Sequence, residues 1–223
     1  MMQVLTISDE IARQMYSPAA RERFQDVQLV LSCGDLKPSY LEFVVSTLNV
    51  PCLYVPGNHD AQPEQMESGD VVTEPAGCVK IHGKVVREAG LLIAGLGGSL
   101  WYNGENYQYS ETMMRLRVYL LAARIWLRQQ RTGERLDFMI THAAPQGIHD
   151  GPGAHRGFAC FRWFIDRFQP RYFIHGHVHP RYGYNKVTES VIGQTRVINT
   201  VGYRLLDVPM VTPSARLPNH ASG

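Results

Sequence analysis

The sequence predicts a layered α and β protein, with parallel strand pairing in the middle and mixed sheets. Two observations carry that expectation. Short apolar runs rich in β-branched residues alternate with helical patterns along the 223 residues, and such alternation stacks helices against parallel strands. Two further runs, IHGKVV and LLIAGL between residues 80 and 96, flank a turn signal at Gly90 and read as an antiparallel hairpin.

In chain order, strands are expected at residues 3–7, 27–32, 52–55, 91–94, 136–141, 171–175 and 195–199. Each is short, and most end in Gly, Pro, Asp or Asn, as buried strands do. Helical patterns occupy residues 17–24, 39–48, 111–131 and 158–168. In the third of these, Met113, Leu116, Leu120, Ala123 and Leu127 form a stripe expected to be buried. Arg117, Arg124, Arg128 and Arg131 fall on another face, read as solvated. No repeat or linker interrupts residues 1–207, which are expected to form a single domain. Residues 208–223 turn to Pro, Ser and Asn and read as a C-terminal tail.

Composition excludes several classes. Hydrophobic residues make up 44% of the chain, enough for a real core. A formal net charge of +2 gives no electrostatic reason for a nucleic-acid or membrane partner. No apolar run approaches the ~18 residues that span a bilayer. The opening MMQVLTIS reads as a strand rather than a signal peptide. The four cysteines, Cys33, Cys52, Cys78 and Cys160, form no CxxC pair and are expected to be reduced and buried. A cytoplasmic location follows as the expectation.

Polar residues gather just after the predicted strands. Asp9 follows LTIS, Asp35 follows LVLSCG, and Asn58, His59 and Asp60 follow LYVPG. His142 follows FMIT, and FIHGHVHP carries His175, His177 and His179 at every second position. If that run stays extended, its three imidazoles share one face. Asp9 alone fits a helix cap equally well. Five strands each delivering a metal-competent group at the carboxyl end, where open α/β sheets place their sites, point to a metal centre.

The stretches CGDL, PGNHD, THAAP and HGHVH, preceded by SDEI, occur in an order and spacing that resemble the calcineurin-like metallophosphoesterases. The resemblance covers residues 3 to about 203. It implies an α+β fold of the metallo-dependent phosphatase type, a four-layer α/β/β/α sandwich of two facing mixed β-sheets flanked by helices. It also implies two divalent metal ions, Mn²⁺ first with Fe or Zn as alternatives. By that resemblance Asp9 and His179 hold one metal, Asn58, His142 and His177 hold the other, and Asp35 bridges them. His59 is left for catalysis, stabilising the transferring phosphoryl group or protonating the leaving oxygen. Two metals so held would supply a hydroxide nucleophile at neutral pH and clamp the attacking and leaving oxygens of a phosphoryl group.

One position departs from the pattern: where the family carries D-x-H, this chain has Ile11. Strand alternation sends Glu10 to the opposite face, so it is not an obvious substitute. Waters or a histidine from another loop could complete the first site. His155 or Arg156, in the Gly-rich stretch HDGPGAHRGFACF, could fill that place or touch the phosphate. His149 in the same stretch reads as a surface residue capping the next helix. GLGGS at residues 95–99 lacks a P-loop lysine and reads as a tight turn. SLWYNGENYQYS at residues 99–110 fits either a wall beside the substrate or a packed loop. Cys33 reads as a small buried residue, and His82 has no visible partner.

The leading expectation is a metal-dependent phosphoric ester hydrolase acting on a small phosphodiester or nucleotide, with a phosphomonoester next. GDLKPSY and PGNHD lack the arginines that protein phosphatases of this superfamily carry there, which disfavours a phosphoprotein. The alternative is a non-catalytic scaffold on the same fold with a degraded first metal site. Ile11 favours the scaffold, and His59 opposes it, because a scaffold has no use for a phosphoryl-facing histidine.

Overall fold

A computed structural model describes residues 1–17, 19–60, 63–65, 69, 71–180 and 187–209. Strand β1 (Met2–Ser8) leads through helix α1 (Ala20–Arg23) to β2 (Val27–Ser32), α2 (Pro38–Leu48) and β3 (Cys52–Tyr54). Short strands β4 (Glu64–Gln65) and β5 (Val71–Val72) pair with each other before β6 (Cys78–Lys80). Next come the hairpin of β7 (Lys84–Glu88) and β8 (Leu91–Leu96), the small pair β9 (Ser99–Leu100) and β10 (Gln108–Tyr109), and α3 (Glu111–Thr132). The last elements are β11 (Phe138–Thr141), α4 (Ala159–Phe168), β12 (Tyr172–His175), β13 (Glu189–Ile192), β14 (Thr195–Asn199) and β15 (Gly202–Val208).

Two sheets result. The first has the order β15-β1-β2-β3-β6 and the second β13-β14-β12-β11-β8-β7. Inner neighbours run parallel, while β15, β13 and β7 each add an antiparallel edge. Alternation along the strands explains the layers. Met2, Val4, Leu29, Leu31, Ile93, Ile140 and Ile174 fill a core between the sheets. Their neighbours Leu5, Ile7 and Val30 pack under α1 and α2, while Leu92, Met139 and Phe173 pack under α3 and α4. Apolar runs buried on both faces are what interior parallel strands require. The arrangement is the expected four-layer α/β/β/α sandwich.

Helix α3 corrects one expectation. Ser110 caps its start by accepting the Met113 N–H, and Gly133 ends it in the left-handed conformation. Its buried residues are Met114, Val118, Leu121, Ala122 and Ile125, whereas Met113, Leu116, Leu120 and Leu127 face outward. The helix carries two apolar stripes, and periodicity cannot choose between them. The sheet takes the stripe with the smaller and β-branched members, Val118, Ala122 and Ile125, which lets the helix approach closely.

Strand β15 pairs with β1 from Gly202 to Val208. It was not visible in the pattern because most of its residues are exposed or half-exposed and do not alternate with buried ones along its first half. The remainder of the expected tail, residues 210–223, lies outside the described residues. Cys33, Cys52 and Cys160 are buried, Cys78 is half-buried, and all four are free. Among the described residues no helix is long and apolar enough to cross a membrane.

Candidate metal centre

The loops after β1, β2 and β3 bring Asp9, Asp35 and Asn58 from the first sheet. Those after β11 and β12 bring His142, His177 and His179 from the second. Asp9, Asp35 and His177 all sit at positive φ, 60°, 56° and 65°. Each strand therefore turns sharply at its candidate ligand and aims it across the end of the sandwich, a local strain typical of functional sites. The turns leave no room beside them. A Cβ on Gly57 would overlap the Asp35 carboxylate, and one on Gly176 would overlap the side chains of Asp9 and Ser8.

Asp35, His142 and His177 place one ligand atom each within 4.8 Å of one another. His142 Nδ1 donates to the Cys33 carbonyl at 2.8 Å, which leaves Nε2 facing Asp35 Oδ2 at 3.3 Å and Asn58 Oδ1 at 3.0 Å. His177 Nε2 donates to the Ala154 carbonyl at 2.9 Å, leaving Nδ1 as its other ring nitrogen. Asn58 Nδ2 donates to the Tyr102 hydroxyl at 3.0 Å, which fixes the amide oxygen towards His142. Backbone anchors that set the tautomer in this way are the usual support of metal-binding imidazoles.

The charges point the same way. Burial works against a charged His142, yet the Asp35 and Asp9 carboxylates carry it up to about 10. Burial and the neighbouring His142 push His177 down to about 3. Burial opposes ionisation of Asp35 too, but His142 and the His59 N–H hold its carboxyl well below the usual range. Burial pushes Asp9 up against the pull of His142, and the Asp35 carboxylate adds to that rise. Two adjacent carboxylates with a proton parked on His142 form a site where a cation can replace that proton. The donor set of carboxylate, amide oxygen and imidazole fits a divalent ion.

His179 lies at the outer edge. Its Nε2 is 3.6 Å from Asp9 Oδ1, and its Nδ1 is 3.2 Å from Glu10 Oε1. Glu10 is thus drawn into the site, contrary to the alternation argument. The positive φ at Asp9 ends the strand and turns Glu10 back towards His179. Ile11 is left 48% exposed. His155 stands over the cluster, its ring 5.1 Å from that of His177, and burial and His179 lower its pKa. Arg156 is exposed, its backbone N–H bonded to Gly153. The His59 side chain is exposed while its N–H is held by Asp35 Oδ1 at 2.9 Å. Asp60 ties two of the loops together by accepting from Gly57 N and Asp35 N, and burial beside Asp35 raises it to about 6.

Three other expectations change. β12 ends at His175, so the three imidazoles of FIHGHVHP do not share a face. His175 turns inward to His149, Nε2 to Nδ1 at 3.1 Å, and His149 Nε2 meets Ser190 Oγ at 2.9 Å. His149 is therefore buried in a polar chain and not a surface cap. His82 also has partners, accepting the Gly97 N–H at 2.9 Å and stacking on Tyr109. Nothing in the local pattern announced either pairing, because His149 meets residues 26 and 41 positions away and His82 meets Gly97 just past the end of β8.

His149 sets a pH limit on stability. Burial pushes it down to about 4, whereas the unfolded chain takes up that proton near 6.5. A depressed histidine contributes stability above pH 6.5 that is lost as pH falls towards 4. Between pH 7.5 and 5 the loss is about 2 kcal/mol. His149→Gln is expected to lose correspondingly less over that interval in metal-free thermal melts. Equal losses in both proteins would exclude His149 as the source.

Comparison with curated proteins gave no match. Among solved structures, one is 16% identical and overlaps 92% of this chain and 94% of its own at a TM-score of 0.60. TT1561 of Thermus thermophilus is 15% identical, with overlaps of 92% and 94% at a TM-score of 0.58. The calcineurin-like phosphoesterase YfkN from Bacillus subtilis is 11% identical, with overlaps of 92% and 83% at 0.45. The first two likenesses show a shared fold. The family model for calcineurin-like phosphoesterases matches residues 7–181, well over half of the sequence, and reaches from the Asp9 loop to the His179 loop. The chain belongs to the calcineurin-like phosphoesterases.

Proposed function

We propose that this chain hydrolyses small phosphoric esters, phosphodiesters or nucleotides before monoesters, with two divalent cations of which Mn²⁺ is the first choice and Fe or Zn the alternatives. The convergence of Asp35, His142 and His177 within 4.8 Å carries the reading. Asn58, His142, His177 and Asp35 would hold one cation, and Asp9 and His179 with Asp35 would hold the other. When bound, the pair supplies positive charge for the phosphate and a water ionised near neutral pH.

The chain's own groups do the rest. Tyr102 and the Cys33 carbonyl orient Asn58 and His142, and Asp60 locks the Asp35 loop to the Gly57 loop. His59, exposed beside Asp35, meets the transferring phosphoryl group or protonates its leaving oxygen. A polar cleft of about 590 Å³ opens beside Asp60, lined by Lys80, Glu105, Tyr107 and Tyr109. That size suits a small ligand and supports a small leaving group over a protein. A cytoplasmic setting belongs to the same proposal, and the free cysteines support it.

Ile11 leaves the first cation with fewer protein ligands, so unequal affinities are expected. Glu10 enters here. Its carboxylate takes the His179 nitrogen opposite the one that faces Asp9, so it turns that imidazole towards the cation. Glu10→Ala is expected to weaken the looser cation ~10–100-fold, the usual cost of removing such support. Glu10→Gln should keep most of the affinity. Calorimetric titration of the metal-free protein reads this directly, and an unchanged second binding constant in Glu10→Ala would remove Glu10 from the site.

Hydrolysis of bis(p-nitrophenyl) phosphate and p-nitrophenyl phosphate with Mn²⁺, Zn²⁺, Fe²⁺ and Mg²⁺ tests the activity. Faster diester cleavage that EDTA abolishes is the expected result. No hydrolysis with any of the four metals would favour the scaffold reading that Ile11 raises.

A further inference from the structure

The outward face of α3 is apolar along most of its length. Met113, Leu116, Leu120, Ala123 and Leu127 recur at alternating steps of three and four residues, the a and d positions of a heptad. The four large members are 45–61% exposed. This is the stripe whose periodicity predicts burial, and within one chain it is bare.

Its two flanks differ. On one side Tyr119 and Trp126 stand out, and Trp163 of α4 meets Tyr119 edge-on at 4.9 Å between ring centroids. On the other side lie Arg117, Arg124 and Arg131. Beyond them runs a groove of about 650 Å³ lined by Val85, Val86, Arg124, Leu127 and Arg131. One flank is thus an aromatic ridge and the other a basic groove with an apolar floor.

Exposure and spacing point to what covers this face. The four large stripe members, together with Tyr119, Trp126 and Trp163, stand 40–61% exposed, and a contiguous apolar patch of that kind marks an interaction surface. A membrane surface needs a broad apolar face but no fixed period. The three-and-four spacing from Met113 to Leu127 suits a second helix carrying the same spacing.

We propose that α3 is the seam of a parallel, two-fold homodimer. In a parallel pair the ridge of each helix faces the groove of the other. Tyr119 then meets Arg124 of the partner subunit, and Trp126 meets Arg131 of the partner subunit, with ring faces towards guanidinium groups. The two-fold axis makes each contact twice. An antiparallel pair would set arginine against arginine. The sheets lie on the far side of each helix, so the two domains point away from the seam and leave both metal centres open.

Sedimentation of the full chain at 1–100 µM is expected to give twice the chain mass. The double variant Leu116→Glu, Leu120→Glu is expected to give the single-chain mass, with unchanged circular dichroism and cation binding. Leu127→Cys, with the half-buried Cys78 replaced by serine, is expected to form an oxidised dimer, because only parallel helices bring residue 127 onto its own copy. A single-chain mass at 100 µM overturns the proposal, as does a dimer that survives the double variant. Absence of the Leu127→Cys cross-link overturns the parallel arrangement. Co-sedimentation of a monomeric chain with anionic phospholipid vesicles, lost in the double variant, would assign the face to lipid instead.

Discussion

Asp35→Asn is expected to lose both bound cations and to lower hydrolysis by ~10³-fold or more, since metal charge is worth several kcal/mol to phosphoryl transfer. In the proposed centre Asp35 stands between the two ligand sets. Its Oδ2 lies 3.3 Å from His142, its Oδ1 accepts the His59 N–H, and its charge acts on Asp9. An amide there keeps the shape but removes the charge. It also turns one of two acceptor atoms into a donor. Elemental analysis of the purified variant is the check, and near-normal metal content would sink the bridging assignment.

His59→Ala is expected to separate catalysis from metal binding. Turnover should fall ~10²–10⁴-fold, the span of a positioned acid or base, while metal content stays unchanged. The geometry makes this a clean substitution. Residue 59 already holds Asp35 through its backbone N–H at 2.9 Å, and alanine keeps that bond. The side chain is exposed. Loss of metal, or full activity, would show that the role is wrong.

Most of the site was legible because strand ends are legible. Short apolar runs ending in Asp, Asn or His mark where a buried strand meets solvent, and Asp35, Asn58, His142 and His177 lie there. What alternation could not reveal is where a strand stops alternating. Asp9 and His177 leave the extended region, and with that Glu10 moves to His179 and His175 moves away from the other two histidines. Weak alternation also hid β15, most of whose residues are exposed or half-exposed at a sheet edge. In α3 the difficulty was the reverse, since two apolar stripes answered one periodicity. His149 and Tyr102 could not be found from spacing, because their partners lie 26 and 44 positions away.

The origin of the ligands in opposite sheets has a consequence beyond chemistry. Asp9 and His177 are 168 positions apart in the chain, and their loops meet only at the end of the sandwich. Either cation would join the two sheets, Asp9 to His179 or Asn58 to His142 and His177. Because the unfolded chain lacks the site, binding would stabilise the fold by about 4 kcal/mol at a thousandfold excess over the dissociation constant. Chelation should then lower the melting temperature as well as stop turnover. Metal supply would govern how long each molecule survives, and a chain starved of metal would be the first exposed to unfolding and proteolysis.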